Sequence, residues 1–401
     1  MSKDVIDLTC EQRYAATTTA TNAVVSAGPG SGKTRVIAAR VEHLVRERSV
    51  CPSRIACLVF TRSAAEEIRT RVAQAVGPEV ASRVVIDTFH GLAARYVVPP
   101  GFRVATEAEE DAAVRSLLVG PTRRPSRERL RYRDIRRAIV AYEACLDPAS
   151  AVVGHTVRRL QAASLVPMWA LVPFALVGAS LASGRHVLVD EAQDCTPNER
   201  LLATMLARGG ALFAVLDDRQ AIMGWRGAAP WEPDEGAERI SLTRAFRFGP
   251  RVADCANVIA SLFGGERVDG DVSIASVVEV ETGGRIETSP GIQTAVLCRT
   301  HAQCAYVVEH MCDRPAVHVT RDPVGDPFSR EADRVDGVWR DGAIVVSTVH
   351  AFKGREADHV ICTLGPDTEV RPPPEELRVL YVAITRARYR LTFAELPEGI
   401  R

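Results

Sequence analysis

Fifty basic side chains occur in this 401-residue chain, and only three of them, Lys3, Lys33 and Lys353, are lysines. Lys33 closes the stretch Ala27-Gly28-Pro29-Gly30-Ser31-Gly32-Lys33-Thr34. An ammonium is a compact point charge, whereas a planar guanidinium fork is too bulky for a tight phosphate cradle. The glycines let the backbone curl so that successive N–H groups converge on an anion. Val24-Val25-Ser26 reads as a buried strand end and Arg35 to Arg46 as a helix, so the anion would meet a helix N-terminus. This is the chemistry of nucleoside triphosphate binding, with Thr34 offering its hydroxyl to Mg²⁺. Far downstream, Val187-Leu188-Val189-Asp190-Glu191 places two acids at the end of an apolar strand. Asp190 would hold the metal through water and Glu191 would polarise the attacking water.

Such groups meet only if a scaffold gathers several strand ends. Short runs rich in Val, Ile and Leu fall at Ile55–Phe60, Val84–Ile86, Val187–Val189, Leu212–Leu216, Ala295–Cys298, Ile344–Ser347, Val360–Leu364 and Leu391–Ala394. Uninterrupted apolar runs alternating with helical stretches predict parallel strands covered on both faces by helices. The fold class is therefore α/β, in two layered units, with the second beginning near Gly249-Pro250 and Gly264-Gly265. Between Pro99-Pro100 and Gly184 the pattern is helical. Arg123 to Arg137 holds eight arginines in fifteen residues, either a solvated helix face or a phosphate-contacting surface on an inserted subdomain. Ala162 to Ser183 carries no charge, but Pro167 and Pro173 interrupt it and a strand follows at once. It reads as a buried helix under a parallel sheet rather than a membrane span.

The totals narrow the class further. At this length two or three domains are expected. An apolar share of 46% with 25% charged residues is that of a globular protein. Formal net charge is zero, so a nucleic-acid contact must come from a local basic groove and not from a global field. Ten cysteines without a CxxC pair read as reduced cytosolic thiols. The first residues form no apolar leader, which implies a cytoplasmic or nucleoid-associated protein.

Further motifs appear in order. Leu8-Thr-Cys-Glu-Gln12 precedes the cradle, and Leu58-Val-Phe60-Thr61 and Thr88-Phe-His90 follow it. Next come Asp217-Asp-Arg-Gln220 running into Trp225-Arg226, Leu242-Thr-Arg-Ala-Phe246-Arg247, Val346 through His350 and Lys353 to Glu356, and Tyr381 through Thr385-Arg386. With these the chain resembles the superfamily 1 DNA helicases of the UvrD/Rep/PcrA group over most of its length. The resemblance implies ATP and Mg²⁺ as cofactors and two RecA-like P-loop domains. The first would span 1–99 and 185–240, with an inserted helical subdomain at 100–184. The second would span 241–401, with the family's accessory insertion reduced to a vestige at about 318–343.

The same resemblance assigns roles. Gln12 would read adenine; Gly28, Pro29, Gly30, Ser31, Gly32, Lys33, Thr34 and Arg35 would cradle the phosphates. Gln220, Arg247 and Arg386 would meet the γ-phosphate, Phe246 the base and Glu356 the ribose. Thr34 and Asp190 would serve Mg²⁺. Phe60, Thr61, Thr88, His90, Trp225, Arg226, His350 and Lys353 would contact DNA. The implied activity is ATP-driven 3′ to 5′ movement along single-stranded DNA, or at single/double-strand junctions, by a monomer. With a reduced insertion, strand separation is expected to be weak or to require a protein partner. A nucleotide-gated single-strand clamp or displacement factor is the alternative reading. No membrane partner is expected.

Overall fold

The computed structural model describes residues 8–118, 132–145, 151–178, 181–232, 234–281, 286, 289, 291–312, 315–319, 339, 343–363 and 372–396. From the N-terminus its strands are β1 (Asn22–Ala27), β2 (Ile55–Val59), β3 (Val85–Thr88), β4 (Arg103–Val104), β5 (Leu165–Val166), β6 (His186–Val189) and β7 (Ala211–Leu216). They continue as β8 (Glu238–Leu242), β9 (Val277–Glu281), β10 (Thr294–Cys298), β11 (Ala316–His318), β12 (Ile344–Thr348), β13 (Ala357–Cys362) and β14 (Ala387–Ala394). Two six-stranded sheets result, ordered β3-β2-β6-β7-β1-β8 and β11-β12-β10-β13-β14-β9. Every pairing in both is parallel.

Burial explains which strands the sequence disclosed. All five residues of β2, β10 and β12 are buried, as a parallel strand covered by helices on both faces demands. Of the four edge strands of these sheets, β8, β9 and β11 mix polar with apolar residues and are partly exposed. None of these three was expected from the sequence, because none carries an uninterrupted apolar run, whereas the fourth edge, β3, was expected from Val84–Ile86.

Each sheet has a core on both faces. Val25, Val36, Ile37, Val41, Ile55 and Ile68 fill one side of the first, and Leu58, Val187, Val189, Leu202 and Leu216 the other. The second sheet is covered by Phe352, Val345, Val360, Leu391 and Tyr381 on one face and by Val296, Val346, Ile361 and Val307 on the other. Each such side chain is worth about 1.5–3 kcal/mol when fully buried. The packing fixes the strand ends, and the strand ends carry the chemistry.

The insertion has its own small core of Val114, Ile135, Ile139, Val153 and Trp169. It comprises the helices Glu107–Leu118, Tyr132–Cys145 and Ala151–Gln161 with the β4–β5 pair. Residues 123–131 of the arginine-rich stretch lie outside the described residues. So does almost all of 318–343, where the reduced accessory insertion is expected.

The apolar stretch Ala162–Ser183 is not one buried helix. It forms β5, a 3₁₀ turn at Met168–Ala170 and an eight-residue helix, Leu171–Gly178. Pro167 ends the strand because it has no N–H for a ladder. Leu171, Val172 and Ala175 do pack under the first sheet, with Val187 and Val189. Among the described residues no helix is long and apolar enough to cross a membrane.

Candidate nucleotide site and nucleic-acid interface

The chain leaves β1 at Ala27 and turns through Gly28–Gly32 into the helix Lys33–Arg46. Gly30 and Gly32 have φ of 72° and 85°, a region that penalises any side chain. Space is equally restrictive. A Cβ on Gly30 would lie 2.6 Å from Cβ of Arg247, and one on Gly32 would lie 2.8 Å from the Gln12 amide nitrogen. Ser31 Oγ donates to the Gly28 carbonyl at 2.7 Å and closes the loop. The helix has no side-chain cap, so its leading N–H groups face the cradle, as an anion site requires. Gln12 is buried, with its amide donating to the Ser31 carbonyl at 2.8 Å. Thr34 and Arg35 occupy the first turn of the helix, with Pro29 at the crest of the loop.

The ends of β6 and β7 open on the same side. Glu191 follows β6 with φ 52° and ψ 42°, a left-handed conformation that costs a non-glycine residue about 1–3 kcal/mol and is typical of functional sites. Lys33 Nζ lies 4.0 Å from Glu191 Oε1 and donates to the Ala27 carbonyl at 3.3 Å. Gln193 donates to Glu191 Oε2 at 2.5 Å and accepts the Asp217 N–H at 2.9 Å. Asp217 Oδ2 then accepts from Gln220 Nε2 at 2.7 Å. Glu191, Gln193, Asp217 and Gln220 thus form one continuous chain.

The second lobe meets this chain across a seam. Ala245 and Phe248 belong to its core, and between them Phe246 donates its N–H to the Gly30 carbonyl at 2.8 Å. Arg247 donates from Nε to Glu356 at 2.6 Å and from Nη1 to the Thr385 carbonyl at 3.2 Å. Arg386 Nη2 donates to Gln220 Oε1 at 2.6 Å. Lys353 Nζ donates to Asp194 at 2.5 Å and to the Gln220 carbonyl at 2.6 Å. Cations of one lobe therefore touch the loop and acids of the other.

The electrostatics follow from crowding. Asp190 is pushed up to about 7, first by burial and then by the charge of Glu191 beside it. Burial also opposes the charge of Glu191, yet the ammoniums of Lys33 and Lys353 and the Gln193 hydrogen bond hold it down to about 2. Burial, followed by the neighbouring Arg247, lowers Arg386 to about 9. The adjacent carboxyls of Asp190 and Glu191 are oxygen donors of the kind a hard divalent cation takes. Asp190 and Thr34 would hold Mg²⁺, which would supply charge neutralisation to a bound triphosphate.

The residues expected at DNA differ in exposure and in the partners that hold them. Trp225 is 64% exposed, a free ring for base stacking. Thr61 and Thr88 cap the helices Arg62–Val76 and Phe89–Val97, accepting from the Ala64 and Gly91 N–H groups. Phe60 lies beneath Arg226, whose guanidinium carbon is 4.6 Å from the ring centroid. Arg226 is held by Glu199 at 3.0 Å and by Glu143 at 3.4 Å. His90 Nε2 lies 3.3 Å from the same Glu143 oxygen. His350 is half-buried, its pKa lowered by burial and then by Arg299. Lys353, with a side chain 7% exposed, lies in the seam instead of facing solvent. Gln193 and Glu143 went unnoticed in the sequence, and Asp217 and Arg219 stood inside a motif without a role of their own; for Asp217 the signal was a polar residue directly following the buried strand β7.

These features define a two-lobed α/β protein with a P-loop and a candidate nucleotide site at the seam. The UvrD/REP helicase N-terminal domain model matches residues 8–124 and 176–232, and the UvrD-like helicase C-terminal domain model matches 343–394. Together they cover more than half of the chain, which belongs to the UvrD/Rep helicase family, and its two parallel sheets are that family's RecA-like units. It is 27% identical to ATP-dependent DNA helicase PcrA of Leuconostoc citreum over 62% of this chain and 38% of that protein. It is 25% identical to DNA helicase IV of Escherichia coli over 92% of this chain and 65% of that protein. With ATP-dependent DNA helicase Rep of Escherichia coli the figures are 26%, 59% and 40%. The chain thus spans between about two fifths and two thirds of the length of these relatives.

Proposed function

We propose that this chain is an ATP-dependent single-stranded DNA translocase and helicase, moving 3′ to 5′. One observation carries the reading: Arg386 of the second lobe donates to Gln220 of the first at 2.6 Å, beside the acids that follow β6. An arginine delivered across a seam stabilises the charge of a transferring phosphoryl group only when the lobes are together. Hydrolysis and release would then let them part, and cyclic closure would move two DNA-gripping surfaces relative to each other. Lys33 would neutralise the β- and γ-phosphates, Glu191 would orient water, Gln220 would sense the γ-phosphate, and Arg247 with Arg386 would complete the charge clamp.

Phe246 and Glu356 border the Gly30 side of the seam, where base and ribose would lie. Gln12, pinned to Ser31, would couple base recognition to the shape of the loop. Trp225, Thr61, Thr88, His90 and His350 would form the track for a single strand, with Phe60, Arg226 and Lys353 supporting it. The lobes would be 1–99 with 185–240 and 241–401, with the insertion at 100–184. The short span at about 318–343 leaves little chain for an accessory subdomain, so duplex opening would be weak without a protein partner. The relatives' names and the two matched family models support the ATP-dependent DNA helicase part of this reading.

Steady-state ATP hydrolysis with and without oligo(dT) tests it. Wild-type turnover should rise with single-stranded DNA, and Lys33→Ala should reduce it by at least about a hundredfold. Turnover indifferent to DNA, or an active Lys33→Ala, would refute the reading. Displacement of streptavidin from 3′- or 5′-biotinylated strands reads the polarity, with faster release expected from the 5′ end.

A further inference from the structure

Arg219 is a cation that the assigned motifs leave without a role. It sits one residue before Gln220, is 6% exposed, and belongs to the first lobe by its place after β7. Its Nε donates to Asp217 Oδ1 at 2.7 Å. Its Nη1 crosses the seam and donates to the Glu266 carbonyl at 2.7 Å. Its guanidinium carbon lies 5.8 Å from the Tyr381 ring centroid, over a residue in the core of the second lobe.

The slot that admits Arg219 is walled by two glycines, one from each lobe. A Cβ on Gly28 would lie 3.0 Å from Arg219 Nη2, and one on Gly265 would lie 3.0 Å from its Cγ. The wall from Gly265 and the acceptor at Glu266 come from one lobe, and the anchor at Asp217 from the other. Only with the lobes together does the side chain have all its partners. Parting them would strip the guanidinium of an acceptor and an aromatic face while Asp217 still held it. Asp217 in turn grips Gln220 through its other oxygen, and Gln220 receives Arg386. Fork geometry matters here, because a guanidinium can serve Asp217, a carbonyl and a ring at once, whereas an ammonium cannot.

We propose that Arg219 is a positioning residue that senses lobe closure and, through Asp217, sets Gln220 for Arg386 during phosphoryl transfer. This rests on the nucleotide-hydrolysis part of the proposed function and not on DNA movement. The signature of a positioning residue is loss of kcat with nucleotide binding retained, together with non-additivity with the residue it positions.

The experiment measures ATP hydrolysis of wild type, Arg219→Gln, Gln220→Ala and the double variant, each normalised to nucleotide-binding-competent protein. Arg219→Gln should lose about tenfold in kcat while KM for ATP stays within about threefold, and the double variant should match Gln220→Ala alone. A kcat within about twofold of wild type, or losses that multiply in the double variant, would overturn the proposal. If Arg219→Gln fails to fold, Arg219→Lys is read by the same criteria, since it keeps the charge and loses the fork. Wild-type protein that hydrolyses no ATP would refute the proposed function itself, a different result from an active wild type with an indifferent Arg219→Gln.

Discussion

Lys353 shows how far a residue's type can be read without its partners. Its rarity in an arginine-rich chain marked it as special, and the resemblance placed it near DNA. The structure seats it in a buried ion pair with Asp194, which comes from the other lobe. Even so, Asp194 is pushed up to about 6, because burial outweighs the opposing charge of Lys353. Removing one member of such a pair leaves an uncompensated charge, at a cost of about 3–5 kcal/mol. Lys353→Met should therefore lower thermal stability more than Lys353→Met combined with Asp194→Asn does. Equal melting temperatures for the two would argue against the pair as drawn. Lys33, Asp190 and Glu191 were legible because glycine spacing and an apolar strand frame them. The roles of Gln193, Asp217 and Arg219 were not, because their meaning lies in hydrogen bonds to residues up to 47 positions away.

At the scale of elements, the buried strands declared themselves by apolar runs, and of the four sheet edges only β3 did. The inserted helices are the instructive case. Glu110, on the helix Glu107–Leu118, accepts the Met168 N–H at 2.6 Å, yet burial pushes it up to about 7 against that bond. A carboxyl whose folded pKa is raised contributes stability below its unfolded value, near 4.5, and loses it as pH rises through about 7. Glu110→Gln should therefore raise stability at pH 8 by up to about 3 kcal/mol, the gain shrinking toward pH 5. Thermal melts across that window check the sign. A gain that did not vary with pH would point to packing instead.

A second consequence concerns the helix Tyr132–Cys145. Its Glu143 supplies a single oxygen to both His90 and Arg226, as a backbone phosphate would. Burial opposes the charge of Glu143, but His90 and Arg226 keep its pKa below the usual value. On the proposed DNA track Glu143 would compete with a backbone phosphate for Arg226, so Glu143→Gln should tighten oligo(dT) binding by about three- to tenfold at moderate salt. Fluorescence anisotropy measures it, and weaker binding would mean that Glu143 instead holds Arg226 and His90 in place.

At the scale of the molecule, two parallel sheets present their strand ends to one seam. The first lobe contributes loop, acids and Gln220; the second contributes Arg247, Lys353 and Arg386. The two-unit α/β organisation could be read from strand spacing and motif order. The closeness of the lobes could not, because it depends on side chains meeting across more than a hundred residues, as in Arg386 with Gln220. The most direct measurement is ATP turnover at saturating single-stranded DNA for wild type, Arg247→Ala and Arg386→Ala, alongside binding of a fluorescent nucleotide. Both variants should bind nucleotide, and Arg386→Ala should lose about a thousandfold in kcat. Turnover near the wild-type level in both would contradict a site completed from the opposing lobe.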